Sequence, residues 1–376
     1  MSTDPRTRAW IEVSSASLRR NLDRVRSAVP PSVRLLPMVK ADGYGLGMEG
    51  VVDALAPAGP WGWGVASVDE GVRLRRHGVR EPVVIFSPVP PGDEGRVVAE
   101  RLTPTVSDVP TLDRLREAAE ADPVPVHLEV DTGMGRAGFR WDRVGEWGPA
   151  IRSRLVPPIR WEGLFSHLHS ADEAGGPEVD LQLDRFRQVA SVLNPPGSVL
   201  LHLANSAGAF RLGARLRGFG LVRPGIALYG GGCGPDLPTP ESVAAVRARV
   251  VRVQDVPEGA TAGYGATYRA AGPERWATLA LGYGDGYRRA ASNRARVLLS
   301  GRRVPVVGRV SMDMTVVNIT GLDGVRPGNV ATLLGRDGTG EIRLDELAEW
   351  MGTISYEVLT GFTSRLPRVW LQSSAQ

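Results

Sequence analysis

Arg34-Leu-Leu-Pro-Met-Val-Lys-Ala-Asp-Gly-Tyr-Gly45 begins as a short apolar run and ends in a polar, glycine-rich turn. An apolar run of this length, bounded by turn residues, predicts a buried strand. Seven more runs of the same kind follow. The predicted strands are 34–40, 61–67, 82–87, 102–107, 125–131, 159–167, 199–206 and 221–229. All are short and rich in Val, Leu and Ile, as strands covered on both faces must be. Helical patterns lie between them. Leu112, Leu115 and Ala119 recur at helical spacing, as do Val179, Leu183, Phe186 and Val189. Asp69 and Gly78 bracket another helix. A further helix precedes the first strand, with Leu18, Leu22, Val25 and Val29 on one face and Ser14 or Ser15 as its cap. Eight strands alternating with helices predict an α/β fold, a (β/α)8 TIM barrel. An open doubly wound sheet is the alternative, but no Gly-x-Gly-x-x-Gly turn follows the first strand.

The pattern changes near residue 235. Pro235, Pro238 and Pro240 mark a linker, and short strand patterns at 246–256, 276–281, 296–299, 304–310 and 329–334 follow. Helical segments come at 344–350 and after Ser355. The expected division is therefore a barrel over residues 1–235 and a C-terminal β-rich domain over 236–376.

Composition removes several classes of function. No run of 18 apolar residues exists among the 376, so no membrane-spanning helix is expected. The N-terminus lacks the apolar core of a signal peptide, and a cytoplasmic location is expected. The single cysteine, Cys233, and five scattered histidines show neither a disulfide framework nor metal-ligand spacing. A net charge of +4, spread along the chain, gives no nucleic-acid footprint.

Lysine usage points the other way. Lys40 is the only lysine among 45 basic residues. Arginine replaces lysine as a surface charge. It cannot replace it as a carbonyl-trapping amine, because its guanidinium stays protonated and delocalised.

In a barrel of this type the active site lies at the C-terminal ends of the strands. Lys40 ends the first predicted strand, with Tyr44 close behind. Asp131 ends the fifth and leads into Thr132-Gly-Met-Gly-Arg136. His167 ends the sixth, Asn205 and Ser206 end the seventh, and Arg223 lies in the eighth, two residues before Gly225. The loops after the last two strands are the usual phosphate site of such barrels. There Ser206 offers a hydroxyl, and Gly225 and Ile226 offer backbone N–H groups. An amine across the barrel mouth from a phosphate site implies pyridoxal 5'-phosphate. Read singly, His167 is equally a satisfied core histidine, and Asn205-Ser206 is equally a helix cap.

In order along the chain, nine segments carry a resemblance. They are Met38-Val-Lys-Ala-Asp-Gly-Tyr-Gly45, Asp131-Thr-Gly-Met-Gly-Arg136, Gly163-Leu-Phe-Ser-His167, His202-Leu-Ala-Asn-Ser206, Arg223-Pro-Gly-Ile-Ala-Leu-Tyr229, Gly263-Tyr-Gly-Ala-Thr-Tyr268, Gly282-Tyr-Gly-Asp-Gly286, Ser311-Met-Asp313 and Ile354-Ser-Tyr-Glu357. Together they resemble the alanine racemase family over nearly the whole chain. The resemblance implies interconversion of L- and D-alanine, with D-alanine supplied to peptidoglycan, by a homodimer with shared sites. It makes Lys40 the cofactor-bearing residue and the base on one face of Cα. It makes Tyr264 the base on the other face, supplied by the second subunit and assisted by His167 and Arg223. It places Tyr44, Ser206, Gly225, Ile226 and Tyr356 around the phosphate, makes Asn205 a further cofactor contact, and puts Arg223 at the pyridine nitrogen. Arg136 contacts the cofactor oxygen or the substrate carboxylate, and Tyr283, Met312 and Asp313 line the substrate side.

Two departures stand out. Many family members carry a carbamylated lysine two residues before Asp131, where this chain has Glu129. A bidentate pair of Glu129 with Arg136 is the expected substitute. Ser311 and Met314 stand where the family often has cysteine and glutamine. The remaining alternatives are a racemase for another small amino acid such as serine, a related barrel decarboxylase, and a cofactor-binding protein without turnover. The decarboxylase lacks support, because its catalytic cysteine motif late in the chain is missing.

Overall fold

The computed structural model describes residues 4, 6–120 and 122–371. Eight parallel strands form the predicted barrel: Arg34–Leu35, Trp63–Val65, Val83–Ile85, Thr103–Val106, Val124–Asp131, Ile159–Phe165, Leu200–His202 and Leu221–Val222. Sequential neighbours pair, and Leu221–Val222 returns to pair with Arg34–Leu35. The seam between the first and second strands closes through a bridge from Met38 to Gly64, with Val39 N–H donating to the Gly64 carbonyl at 2.8 Å.

Most strands are shorter than the apolar runs. The first ends at Leu35 as a ladder with Leu221–Val222, because Pro224 on the facing chain has no N–H to return, although Leu36 and Met38 N–H still donate to the Val222 and Pro224 carbonyls. The seventh ends at His202, and Ser206 begins a helix instead of ending a strand. Residues 223–229 are not a strand, because the chain turns over the barrel mouth at Pro224-Gly225. Helices pack outside as the periodicity requires. Ser15–Ala28 is capped by Ser14, whose side chain accepts from Ser17 N–H, and buries Leu18, Leu22 and Val25. Each such buried side chain contributes roughly 1.5–3 kcal/mol.

The second sheet is built around the long strand Ala244–Val256. It pairs with Glu274–Leu279 and Val330–Asp337, and the latter pairs with Arg296–Leu299. The expected division needs one correction. Strand Ala9–Ser14 belongs to this second sheet, not to the barrel. It pairs antiparallel with Ala244–Val256, Ala9 opposite Ala248, and parallel with Arg368–Leu371. Its partners lie more than two hundred residues away, so no local signal assigned it. One apolar core runs through both halves. No helix of the described residues is long and apolar enough to cross a membrane.

Candidate active site

A cavity of about 380 Å3 opens at the C-terminal ends of the barrel strands. Lys40, Tyr44, Arg136, His167, Asn205, Ser206, Arg223, Gly225, Ile226 and Tyr356 all line it. Ten residues singled out in the sequence, from separate strand ends and the C-terminal domain, thus converge on one space.

Lys40 leads into a left-handed turn. Ala41, Asp42, Gly43 and Tyr44 have φ of 52°, 54°, 62° and 53°. For a residue with a side chain this conformation costs roughly 1–2 kcal/mol. Compensating contacts surround it. The Glu70 carboxylate accepts from Ala41 N–H and Ala66 N–H, each at 2.7 Å. Asp42 pairs with Arg73 at 2.8 Å, and Arg368 donates to the Gly45 carbonyl at 2.7 Å. The turn aims Lys40 into the cavity and lays the Tyr44 ring on Tyr229, with centroids 4.3 Å apart. Burial pushes the Lys40 ammonium below its ordinary range; Arg136 and Arg223 add to this and Glu70 opposes it.

Arg223 is buried and donates to the Ser166 carbonyl at 2.7 Å, to His202 Nδ1 at 2.8 Å and to His167 Nδ1 at 3.2 Å. Its guanidinium lies over the rings of Phe86 and Phe165, 5.4 and 5.2 Å from their centroids, while the two rings meet edge to face. Because Arg223 can only donate, His167 Nδ1 accepts, and the His167 proton sits on Nε2. Burial and the neighbouring cations push His167 down to about 3, so it is neutral at neutral pH.

Asn205 caps helix Ser206–Leu212 by accepting from Gly208 N–H at 2.9 Å. Ser206 does not cap it. Its hydroxyl accepts from Gly225 N–H at 2.8 Å and Ala227 N–H at 3.3 Å. Gly225 N–H is therefore paired with Ser206 in this structure, not open to the cavity. A Cβ at Gly225 would fall 2.2 Å from Tyr44 Oη, so only glycine leaves that corner clear.

The Arg136 loop is held from below. Asp131 accepts from Gly133 N–H and Gly135 N–H at 2.9 and 3.0 Å, and Arg185 donates to the Thr132 carbonyl at 2.8 Å. The expected bidentate pair of Glu129 with Arg136 is not formed. Glu129 also lines the cavity, but its carboxylate accepts from Ser107 at 2.8 Å. Burial raises its pKa, while Ser107, Arg136 and Arg223 lower it, so its attraction to the two arginines acts through space.

Tyr264, Tyr283, Met312 and Asp313 do not reach this cavity. Tyr264 stands at the tip of the hairpin Thr261–Ala262 and Tyr268–Arg269 and is 68% exposed. With Tyr283, Arg288 and Arg289 it lines a separate, open cleft of about 590 Å3. Met312 is exposed, and Asp313 pairs with Arg365 at 2.6 Å. Backbone bonds join these segments, Tyr283 N–H to the Ser311 carbonyl and Gly284 N–H to that of Met312. Asp285 anchors them: fully buried, it pairs with Arg8 at 2.5 Å and Arg365 at 3.3 Å.

Sequence reasoning missed Phe86, Ser87, Pro88 and Phe165 as lining residues. Phe86 and Ser87 end a predicted strand, so the rule that singled out Lys40 applied to them as well. Phe86, Pro88 and Phe165 offer no polar side-chain group that would mark them in the sequence, whereas Ser87 at its strand end gives the same signal as Ser206.

Comparison with known proteins agrees along the whole chain. Residues 13–232 match the family model described as alanine racemase, N-terminal domain, and residues 243–370 match alanine racemase, C-terminal domain. An alanine racemase of Symbiobacterium thermophilum is 40% identical over 375 residues, covering 98% of each chain. An alanine racemase of Clostridium difficile 630 superposes with a TM-score of 0.92 at 28% identity, covering 98% of this chain and 97% of that one. An alanine racemase of Bartonella henselae, solved with covalently bound pyridoxal phosphate, superposes with a TM-score of 0.88 at 27% identity, covering 97% and 100%.

Proposed function

The chain belongs to the alanine racemase family and interconverts the enantiomers of alanine, and on that premise we propose that it does so with two bases, Lys40 and Tyr264, on opposite faces of Cα. The family depends on pyridoxal phosphate, and the D-alanine formed serves peptidoglycan. The observation that carries the two-base reading is the placement of the only lysine inside the cavity while Tyr264 stands exposed on a separate hairpin.

The cavity fits pyridoxal phosphate. It combines one amine, the buried guanidinium of Arg223 and the exposed one of Arg136 at its wall, three hydroxyls from Tyr44, Ser206 and Tyr356, and a corner beside Tyr44 that a Cβ at Gly225 would fill. Lys40 would hold the carbonyl carbon, Arg223 would face the ring nitrogen, Tyr44, Ser206, Gly225, Ile226 and Tyr356 would surround the phosphate, and Asn205 would be a further contact. When bound, this group captures the substrate amine and withdraws electrons from Cα, which acidifies the Cα proton.

Each side chain then has a task. Lys40, once its nitrogen is free, takes or returns the Cα proton on its own face. The lowered pKa keeps more of it in the unprotonated form that this requires. On the other face the family resemblance implies Tyr264 of a second copy, which fits its exposed place outside this chain's own cavity, and the working unit is then a homodimer. His167, with its proton on Nε2, donates toward the incoming phenol and favours the phenolate. Arg223 donates a hydrogen bond without surrendering its proton, which keeps the ring nitrogen uncharged. Arg136 binds the substrate carboxylate. Tyr283, Met312 and Asp313 of the second copy close the substrate side. A barrel domain from residue 15 to 235, a second domain from 236 that carries Tyr264 and takes in strand Ala9–Ser14, and a cytoplasmic location complete the reading.

Circular dichroism of L-alanine incubated with the protein and pyridoxal phosphate tests the function. The signal is expected to decay to zero; a stable signal would overturn the reading. Turnover of serine on the same protein separates the nearest alternative.

Glu129 supplies the negative charge that balances Arg136 and Arg223 at the cavity wall. Glu129→Gln keeps an acceptor for Ser107 and removes only the charge. The expected result is a fall of about tenfold in kcat/KM, equivalent to about 1.4 kcal/mol. Kinetics identical to the parent would remove Glu129 from the scheme.

A further inference from the structure

His202 and Gly163 belong to conspicuous sequence segments, yet the scheme above gives neither a task. Both lie on a buried path that starts at Arg223. Arg223 Nη1 is 2.8 Å from His202 Nδ1, and His202 Nε2 is 2.9 Å from His127 Nδ1. His127 Nε2 is 3.4 Å from Glu162 Oε2, and Glu162 Oε1 accepts from Arg160 at 2.8 Å. Both imidazoles are fully buried, whereas the Glu162 side chain is 12% exposed and Arg160 is 57% exposed. The path therefore runs from the catalytic cavity through the barrel interior to the protein surface.

Its direction is dictated at both ends. A guanidinium has no acceptor, so His202 Nδ1 must accept and His202 Nε2 carries the proton. His127 Nδ1 then accepts from it, which leaves the His127 proton on Nε2. A carboxylate has no proton to give, so Glu162 must accept from that position. All three bonds thus point from Arg223 toward Glu162. Burial and Arg223 push His202 far below its ordinary range, and burial pushes His127 down, so both rings are neutral, as the pattern requires.

The surroundings are built around these rings. A Cβ at Gly163 would lie 2.5 Å from His127 Cγ and Nδ1, so that position has room only for glycine. Phe165 stacks on His202 with centroids 5.0 Å apart. Arg223 has no carboxylate within ion-pair distance among the described residues, although a buried charge without compensation is expensive. Glu129 acts on it through space, and Glu162 through the two imidazoles.

We propose that Glu162 is a remote positioning residue for the reaction: through His127 and His202 it orients Arg223 and balances its charge. This rests on the reading that Arg223 serves the catalytic cavity. Chains of such bonds polarise one another, so the far carboxylate strengthens the near contact.

Nitrogen-15 NMR of histidine-labelled holoenzyme at neutral pH tests the relay. His127 and His202 are expected to be neutral with the proton on Nε2 in both. Protonation of either ring at Nδ1 overturns the proposal. Glu162→Leu removes the acceptor at similar volume. It is expected to shift both histidine signals and to lower kcat roughly tenfold, the effect of one weakened hydrogen bond to a charged group, with KM held. Glu162→Gln retains an acceptor oxygen and is expected to return the signals and most of kcat. Wild-type signals in Glu162→Leu, or altered signals with unchanged kcat, overturn the positioning role. If Glu162→Leu does not fold, the tautomers of the parent protein decide alone. Borohydride labelling of Lys40 on the same samples separates the two levels. A label on another residue overturns the catalytic reading and leaves the tautomer measurement standing.

Discussion

Lys40→Ala is expected to lower racemisation by about 10⁴-fold or more, the upper range for removal of a general base, because the same nitrogen also holds the cofactor. Lys40→Arg is expected to fail as completely. Its guanidinium neither traps a carbonyl nor gives up a proton near neutral pH. The decisive measurement pairs kinetics with chemistry. Borohydride reduction of the parent holoenzyme, followed by peptide mapping, is expected to place the pyridoxyl label on the peptide containing residue 40. Both variants should show no stable label. Since no other lysine exists in the chain, a label that survives in Lys40→Ala would point to a different nucleophile and end this scheme. Misfolding is separable, because Lys40 lines a cavity and its removal disturbs no hydrogen bond of the left-handed turn behind it.

Tyr264→Phe is expected to lower kcat by roughly 10²–10⁴-fold in both directions, since racemisation needs both bases. Proton exchange needs only one. In deuterium oxide the variant is expected to exchange the Cα proton of one alanine enantiomer through Lys40 while forming almost none of the other. Loss of exchange with both enantiomers would contradict a role confined to one face. The exposed hairpin makes a second outcome measurable. Lys40→Ala and Tyr264→Phe subunits, each inactive alone, are expected to regain activity when mixed and allowed to exchange. A mixed dimer holds one site with an intact Lys40 from one copy and an intact Tyr264 from the other. Failure to regain activity after demonstrated exchange would place both bases in one chain.

Much of the catalytic wall could be read from strand ends. Lys40, Asp131, His167 and Ser206 each follow an apolar run, and barrel geometry carries such positions to one face. The strand limits themselves were less legible. A hydrophobic run records burial, not ladder pairing, and the chain around Lys40 and Pro224 stays buried while leaving the sheet. Strand Ala9–Ser14 shows the same limit from the other side. It pairs with Ala244–Val256 and Arg368–Leu371, and a contact across that separation leaves no trace in local periodicity.

Chemical identity was also legible where it is irreplaceable. A sole lysine in an arginine-rich chain requires an explanation that charge alone does not provide, and nine ordered motifs carry the family. What they could not carry is partnership. Glu129 was expected to grip Arg136, and the structure pairs it with Ser107. Asn205 and Ser206 are adjacent in sequence, yet one caps a helix and the other accepts from the turn at Gly225.

By itself, then, the sequence determined the alternation that makes a barrel, the amine that does the chemistry and the family to which the chain belongs. These are set by residue type and local spacing. Tertiary structure alone decided which ring nitrogen carries the proton in His127, His167 and His202, that Arg223 has no carboxylate in direct contact among the described residues, and that Tyr264 stands outside the Lys40 cavity. The reason is that proton placement, charge compensation and the facing of a side chain depend on groups brought together from different strands, and only folding fixes their distances.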